Sequence, residues 1–322
     1  MKHCQKILAA VLLVVMLFSC SAAALGESAE TAFPGKVVEL PIDFSGGMKP
    51  LEEYQQGKFT YDDPSIHVER EWVESKEFDC TYYVVDIKIA DGSQIRTESA
   101  AGGEKGFASR KKVSVPVMAK RVNAVVAMNG DYFAETPSSF VLRQGKLIRE
   151  VKETWHDLLL IDEDGDFHVI LAGNRDVAEG LGNTFPSVPL TREQLTEVNG
   201  KKIINGFEFG PCIILNGEVV EAHHRSIVHP HKSQSWNAAQ RICLAQVGPL
   251  HYRIVAVAHY GLSVQRFTEL VMSLGPVQTA YMFDGGRSAQ IAFLNKKVNN
   301  TQDKSPRAVC DIIYFASAYT EE

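Results

Sequence analysis

Apolar residues in this chain gather in short unbroken runs punctuated by glycine, asparagine and aspartate, and only rarely at the three-to-four spacing of a helix. Tyr82 to Ile89, Ala124 to Met128, Ile242 to Val247, Ala280 to Phe283, Ala289 to Leu294 and Val309 to Phe315 read as strands. Three hairpins are marked by Gln144-Gly145, Asp164-Gly165 and Asn216-Gly217, each set between apolar segments. The clearest helix is Ser263 to Leu274, with Val264, Phe267, Leu270, Val271 and Leu274 on one face and Gly275-Pro276 ending it. Ser114 opens a second helix, Val115 to Arg121, as a capping hydroxyl, and Thr191-x-x-Gln194 is a capping box on a third. Many strands and few helices predict an α+β domain: a mixed, largely antiparallel sheet with a few packed helices, forming a single catalytic domain.

The ends of the chain read differently. Residues 1 to 24 have the form of a secretory signal: Lys2 and Lys6 at the start, the apolar centre Ile7 to Phe18, and Ala22-Ala23-Ala24 for cleavage. Leu17-Phe18-Ser19-Cys20 also resembles a lipoprotein box, so a secreted protein and one held at the cell envelope through a lipidated Cys20 are both open. Residues 25 to 64, rich in glycine, proline and charge, read as an extension or linker, with the folded domain over 65 to 317 and a tail over 318 to 322.

Composition removes some functions. With 33 basic against 39 acidic residues, a net charge of -6 and no basic run, the chain is a poor binder of nucleic acid. Cys80, Cys212, Cys243 and Cys310 lie in or beside apolar runs without a Cys-x-x-Cys pair, which leaves buried thiols, a disulfide or a zinc site open, in that order. Asp162-Glu163-Asp164-Gly165-Asp166 fails as a calcium loop, because Gly165 falls at loop position four instead of six and Gly173 stands at position twelve, where glutamate is needed. No phosphate-binding glycine loop, nucleophile elbow or His-Glu-x-x-His is present.

Two strand ends carry candidate chemistry. Ala280-Tyr281-Met282-Phe283 runs into Asp284-Gly285-Gly286-Arg287-Ser288, which places a carboxylate, two glycines, a cation and a hydroxyl on a rigid support. Ala124 to Met128 runs into Asn129-Gly130-Asp131-Tyr132-Phe133 in the same manner. Arg241 precedes one apolar strand and Arg307 another, where a guanidinium can meet a phosphate or carboxylate. His223, His224, His229 and His231 crowd a long segment running on to Gln240, readable as a lid over the site or as metal ligands.

Taken as an ordered set, these segments resemble the phosphodiester glycosidase family over about residues 65 to 316. Tyr82 to Arg96, Ala127 to Phe133, Phe209-Gly210-Pro211 with Asn216-Gly217-Glu218, Arg241, Gly261-Leu262-Ser263, Phe283 to Ser288, and Arg307 with Asp311 follow in the family's order. The chain departs at Arg287, where the family often has glycine or a small polar residue, and at Ala258-His259-Tyr260, where it often has Asp-Gly-Arg. Arg287 therefore adds a phosphate contact or blocks the sugar. The resemblance implies a bacterial hydrolase of cell-surface or exopolysaccharide glycans, free of cofactor and metal, that cleaves a sugar-1-phosphodiester at the glycosidic bond. A phosphate leaves as a stabilised anion, so one principal carboxylate with cations suffices where other glycosidases need two carboxylates. Asp284 is then nucleophile or base, Arg241 and Arg307 stabilise the phosphate, and Asp131 is a second carboxylate. Asn129 and Ser288 orient the substrate, Gly130, Gly285 and Gly286 let the backbone approach it, and Arg287 and His259 border it. A non-catalytic glycan-binding envelope protein and a metal-dependent phosphodiesterase are the alternatives.

Overall fold

The computed structural model describes residues 35–154, 156–171, 188–220, 238–258, 260–300 and 306–321. Among these, three sheets of nine, six and five strands supply the frame, and every strand pairing is antiparallel. The expected α+β architecture is therefore present, with an antiparallel rather than mixed ladder.

The unbroken apolar runs have a simple cause: the sheets are covered on both sides. In the paired strands Ile242–Gly248 and His251–Val257, Ile242, Leu244, Ile254 and Ala256 face the central core where the three sheets meet. Their neighbours Cys243, Ala245, Val255 and Val257 face the helix Val264–Ser273, which buries Val264, Phe267, Leu270 and Val271 against them. The strand Asp311–Ala316 alternates likewise, with Ile313 and Phe315 in the central core and Ile312 and Tyr314 under the helix Val115–Arg121. At roughly 25 cal/mol per Å² of apolar surface, these layers are the main favourable term in folding.

Local signals behave as their chemistry requires, with one exception. The Thr191 capping box and the Ser263 cap are both made. The three predicted hairpins form, and at Asp164-Gly165 the Asp162 carboxylate accepts from Asp164 and Asp166 amides at 3.0 and 2.9 Å, so the acidic run builds a turn. Ser114 makes no capping bond; Pro116 stands in the first turn instead, where its missing N–H removes a donor that would need one.

The boundaries need correction at both ends. Residues 35 to 64 are part of the fold, since Lys36–Val37 pairs with Tyr319–Thr320 and Thr60–Asp63 pairs with Ile66–Ser75. The fully buried Arg96 donates to the carbonyls of Pro41 and Asp43 at 2.9 and 2.8 Å, which ties the glycine- and proline-rich segment down. Ala318 and Tyr319 are likewise buried rather than a free tail. Hydrogen bonds to distant strands, not local apolar pattern, hold these segments. No helix among the described residues is long and apolar enough to cross a membrane. Residues 1 to 34, and with them the signal segment and Cys20, lie outside the described residues. Cys80, Cys212, Cys243 and Cys310 are thiols, with no disulfide among them.

Candidate active site

Strand ends from all three sheets converge on one place. Cys243 pairs with Met282, which brings the start of one strand, after Arg241, beside the end of another, before Asp284. Ile312 pairs with Asn129 and Ile291 with Met128, so Asp311 and Gln290 meet the Asn129-Gly130-Asp131 turn. Arg143, at the end of a short strand of the third sheet, reaches in from the side.

Asn129 joins the two predicted segments. Its side-chain amide donates to the Asp284 carbonyl at 2.9 Å and to the Gly130 carbonyl at 3.2 Å, while its oxygen accepts from the Gln290 amide at 3.1 Å. Both donor hydrogens are thus engaged inside the protein, so Asn129 holds the Asp284 turn. On the other flank the Gly286 amide donates to the Gln240 carbonyl at 2.8 Å. A Cβ at Gly285 would stand 2.5 Å from that same carbonyl, so no other residue fits there.

The Asp284 side chain is 19% exposed and has Arg307 at 4.0 Å. Burial pushes its pKa up; Ser288, Arg307 and Lys112 pull the other way, and Asp131 adds to the rise. The Arg307 amide donates to the Arg287 carbonyl at 2.9 Å, and the Gln290 side chain donates to the Arg307 carbonyl at 2.7 Å, which fixes the backbone from which the half-exposed guanidinium projects. Ser288 Oγ is fully buried and has no hydrogen-bond partner of good geometry among the described residues, although it lies close enough to lower the Asp284 pKa. A small cavity of about 10 Å³ opens here, lined by Asp284, Ser288, Arg307, Asp131, Gly130 and Lys112 among others, with room for roughly one water.

Behind this cavity lies a sealed ionic cluster. Arg143 Nη2 donates to Asp131 at 2.9 Å and to Asp311 at 3.1 Å, and all three side chains have no solvent exposure. Nη1 donates to the carbonyls of Leu142 and Gly206, and the guanidinium lies 4.1 Å from the Phe207 ring centre. Two carboxylates share one cation, so a proton is favoured on the pair. Burial, and then the like charge of Asp131, raise Asp311 to about 8 against the opposing pull of Arg143; burial raises Asp131 as well. A Cβ at Gly130 would sit 2.4 Å from the Asp311 carboxylate, so this glycine lets the turn lie against the cluster.

The structure therefore brings Asn129, Gly130, Asp131, Asp284, Gly285, Gly286, Ser288 and Arg307 together. Arg241 is adjacent but buried: its Nε donates to the Leu262 carbonyl at 3.1 Å, burial lowers its pKa to about 10, and it does not border the cavity. His259 and the His223 to His231 segment lie outside the described residues. Sequence reasoning missed Arg143 and Lys112. A cation closing the apolar stretch Phe140-Val141-Leu142 was the available sign for Arg143, whereas Lys112 sits in Arg110-Lys111-Lys112 and resembles any solvated basic face.

Residues 122–316 match the sequence pattern of a family described as phosphodiester glycosidase. No curated protein matches the chain. Among solved structures, the chain is similar to the catalytic domain of zebrafish N-acetylglucosamine-1-phosphodiester alpha-N-acetylglucosaminidase, auto-inhibited by its pro-peptide. That likeness has a TM-score of 0.58 and 14% identity, and covers 88% of this chain and 97% of the other. A hypothetical protein from Synechocystis is similar at TM-score 0.47 and 13% identity, over 78% of this chain and 62% of its own.

Proposed function

The chain belongs to the phosphodiester glycosidase family, and from that premise we propose that it hydrolyses the glycosidic bond of a sugar-1-phosphodiester of the N-acetylglucosamine type, releasing the sugar and leaving a phosphomonoester. The observation that carries this reading is the Asp284 carboxylate, held at a three-sheet junction with Arg307 at 4.0 Å and the Ser288 hydroxyl in the same cavity lining. A partly desolvated carboxylate whose pKa is raised is a better base or nucleophile than one in water. Arg307 faces outward, where it meets the phosphate as the C1–O bond breaks and negative charge grows on the leaving oxygen.

Ser288 supplies the hydrogen bond that orients the sugar, and Gly285 and Gly286 keep the turn free of side chains on its approach. Asp131 is the second carboxylate, placed in the cavity wall by Arg143. Asn129 fixes the Asp284 main chain. Arg241 supports the same turn from inside, and Arg287 shapes the site through the carbonyl that receives the Arg307 amide. The signal-like residues 1 to 24 support export of the protein, where cell-surface glycans would be its substrates.

The test is release of free sugar from an N-acetylglucosamine-1-phosphodiester by the purified protein. Asp284→Asn should lower kcat by about 10²–10⁴-fold while the protein stays folded. Near-wild-type turnover by that variant would sink the assignment.

A further inference from the structure

A phosphodiester brings a negative charge to a cavity that already holds Asp284, so cations must face it from the solvent side. Arg241 is turned inward to the Leu262 carbonyl. Among the described residues, the cavity is bordered by two cations, Arg307 and Lys112. Val113 exchanges both backbone hydrogen bonds with Val309, at 3.0 and 2.9 Å, which lays the Lys112 segment against the segment that carries Arg307. Lys112 acts on Asp284 electrostatically, lowering its pKa, so its charge is felt at the carboxylate.

At rest the Lys112 ammonium is paired with Glu135 and lies 5.8 Å from the centre of the Tyr132 ring. Both partners are about one-third exposed, at 32% and 37%. An ion pair in that setting contributes little, because solvent screens it and two long side chains must be held still. Exchanging one anion for another at the ammonium is therefore cheap. A lysine offers three rotatable donors on a flexible stem, suited to non-bridging phosphate oxygens, whereas Arg307 offers a planar fork from the neighbouring segment.

Building on the function proposed above, we propose that Lys112 is a phosphate-binding residue of this site and that Glu135 is its resting counter-ion, displaced when the diester enters. Specificity for a charged over a neutral glycoside then rests on the Lys112 and Arg307 pair.

Two measurements test this, one of which is independent of turnover. Binding of inorganic phosphate, followed by titration calorimetry on the full chain, should weaken about tenfold in Lys112→Met, as expected for loss of one charge-assisted hydrogen bond, and recover in Lys112→Arg. Glu135→Gln should bind phosphate as tightly as the wild type or more tightly. In steady-state kinetics on the diester, Lys112→Met should raise KM by a similar factor with kcat little changed. Equal phosphate affinity in wild type and Lys112→Met, weaker affinity in Glu135→Gln, or a loss in kcat alone would overturn the assignment. A chain that binds phosphate through Lys112 but releases no sugar would instead overturn the proposed activity and leave the Lys112 site standing.

Discussion

Two groups of carboxylates and cations stand back to back in this molecule, and solvent separates their roles. In the inner group Arg143, Asp131 and Asp311 have no exposure and their hydrogen bonds lie within the protein. In the outer group Asp284, Arg307, Lys112 and Glu135 are 19%, 48%, 32% and 37% exposed, so solvent screens their pairing. The same residue types thus produce opposite behaviour. A sealed ion has no water to fall back on, so removing a partner is severe, while a screened pair can exchange its partner for a ligand at small cost. The inner group fixes the shape of the cavity, presenting Asp131 in its wall, and the outer group is open to what enters it.

Breaking the inner group gives the largest expected effect. Arg143→Leu leaves two buried carboxylates without their cation and should cost about 3–5 kcal/mol of stability in chemical denaturation. A loss below about 1 kcal/mol would show that water reaches the cluster and that the contrast is overstated. Asp311→Asn sharpens the comparison more gently. Burial and the neighbouring Asp131 hold the Asp311 pKa well above the ordinary carboxylate range, so above that ordinary value the folded state keeps a proton that the unfolded state has lost. Stability from this group is therefore present at low pH and declines as pH rises through the window. Asparagine mimics the protonated acid, so the variant should show a flatter stability–pH profile from pH 4 to 8; an unchanged slope would locate the proton elsewhere. Smallest of all should be the response of the outer group: Lys112→Met should leave the denaturation midpoint where it is, even as phosphate binding falls.

Much of the frame was legible because its signals are local. The helix Val264–Ser273, its Ser263 cap and the glycine hairpins are each specified within a dozen neighbouring residues. Asp284 and Asn129 were legible as candidates because a polar cluster after an apolar strand is itself a local pattern. Their relation was not, since the bond from Asn129 to the Asp284 carbonyl joins positions 155 apart. Arg143 looked like an ordinary polar residue before a turn, and only its contact with Asp311, 168 positions on, makes it the centre of the buried cluster. Residues 35 to 64 misled for the same reason, since Arg96 and the strand Tyr319–Thr320 hold them from far along the chain.

The sequence by itself determined the strand-rich, largely antiparallel class, the turns, the Thr191 and Ser263 caps and the family, because periodicity and turn chemistry act over a few residues and an ordered set of such motifs is specific. Tertiary structure alone decided which charges are sealed and which are open. Burial depends on what the other sheets place over a side chain, and that assigns Asn129 to hold the backbone, Arg241 to the interior, and Lys112 to the rim of the Asp284 cavity.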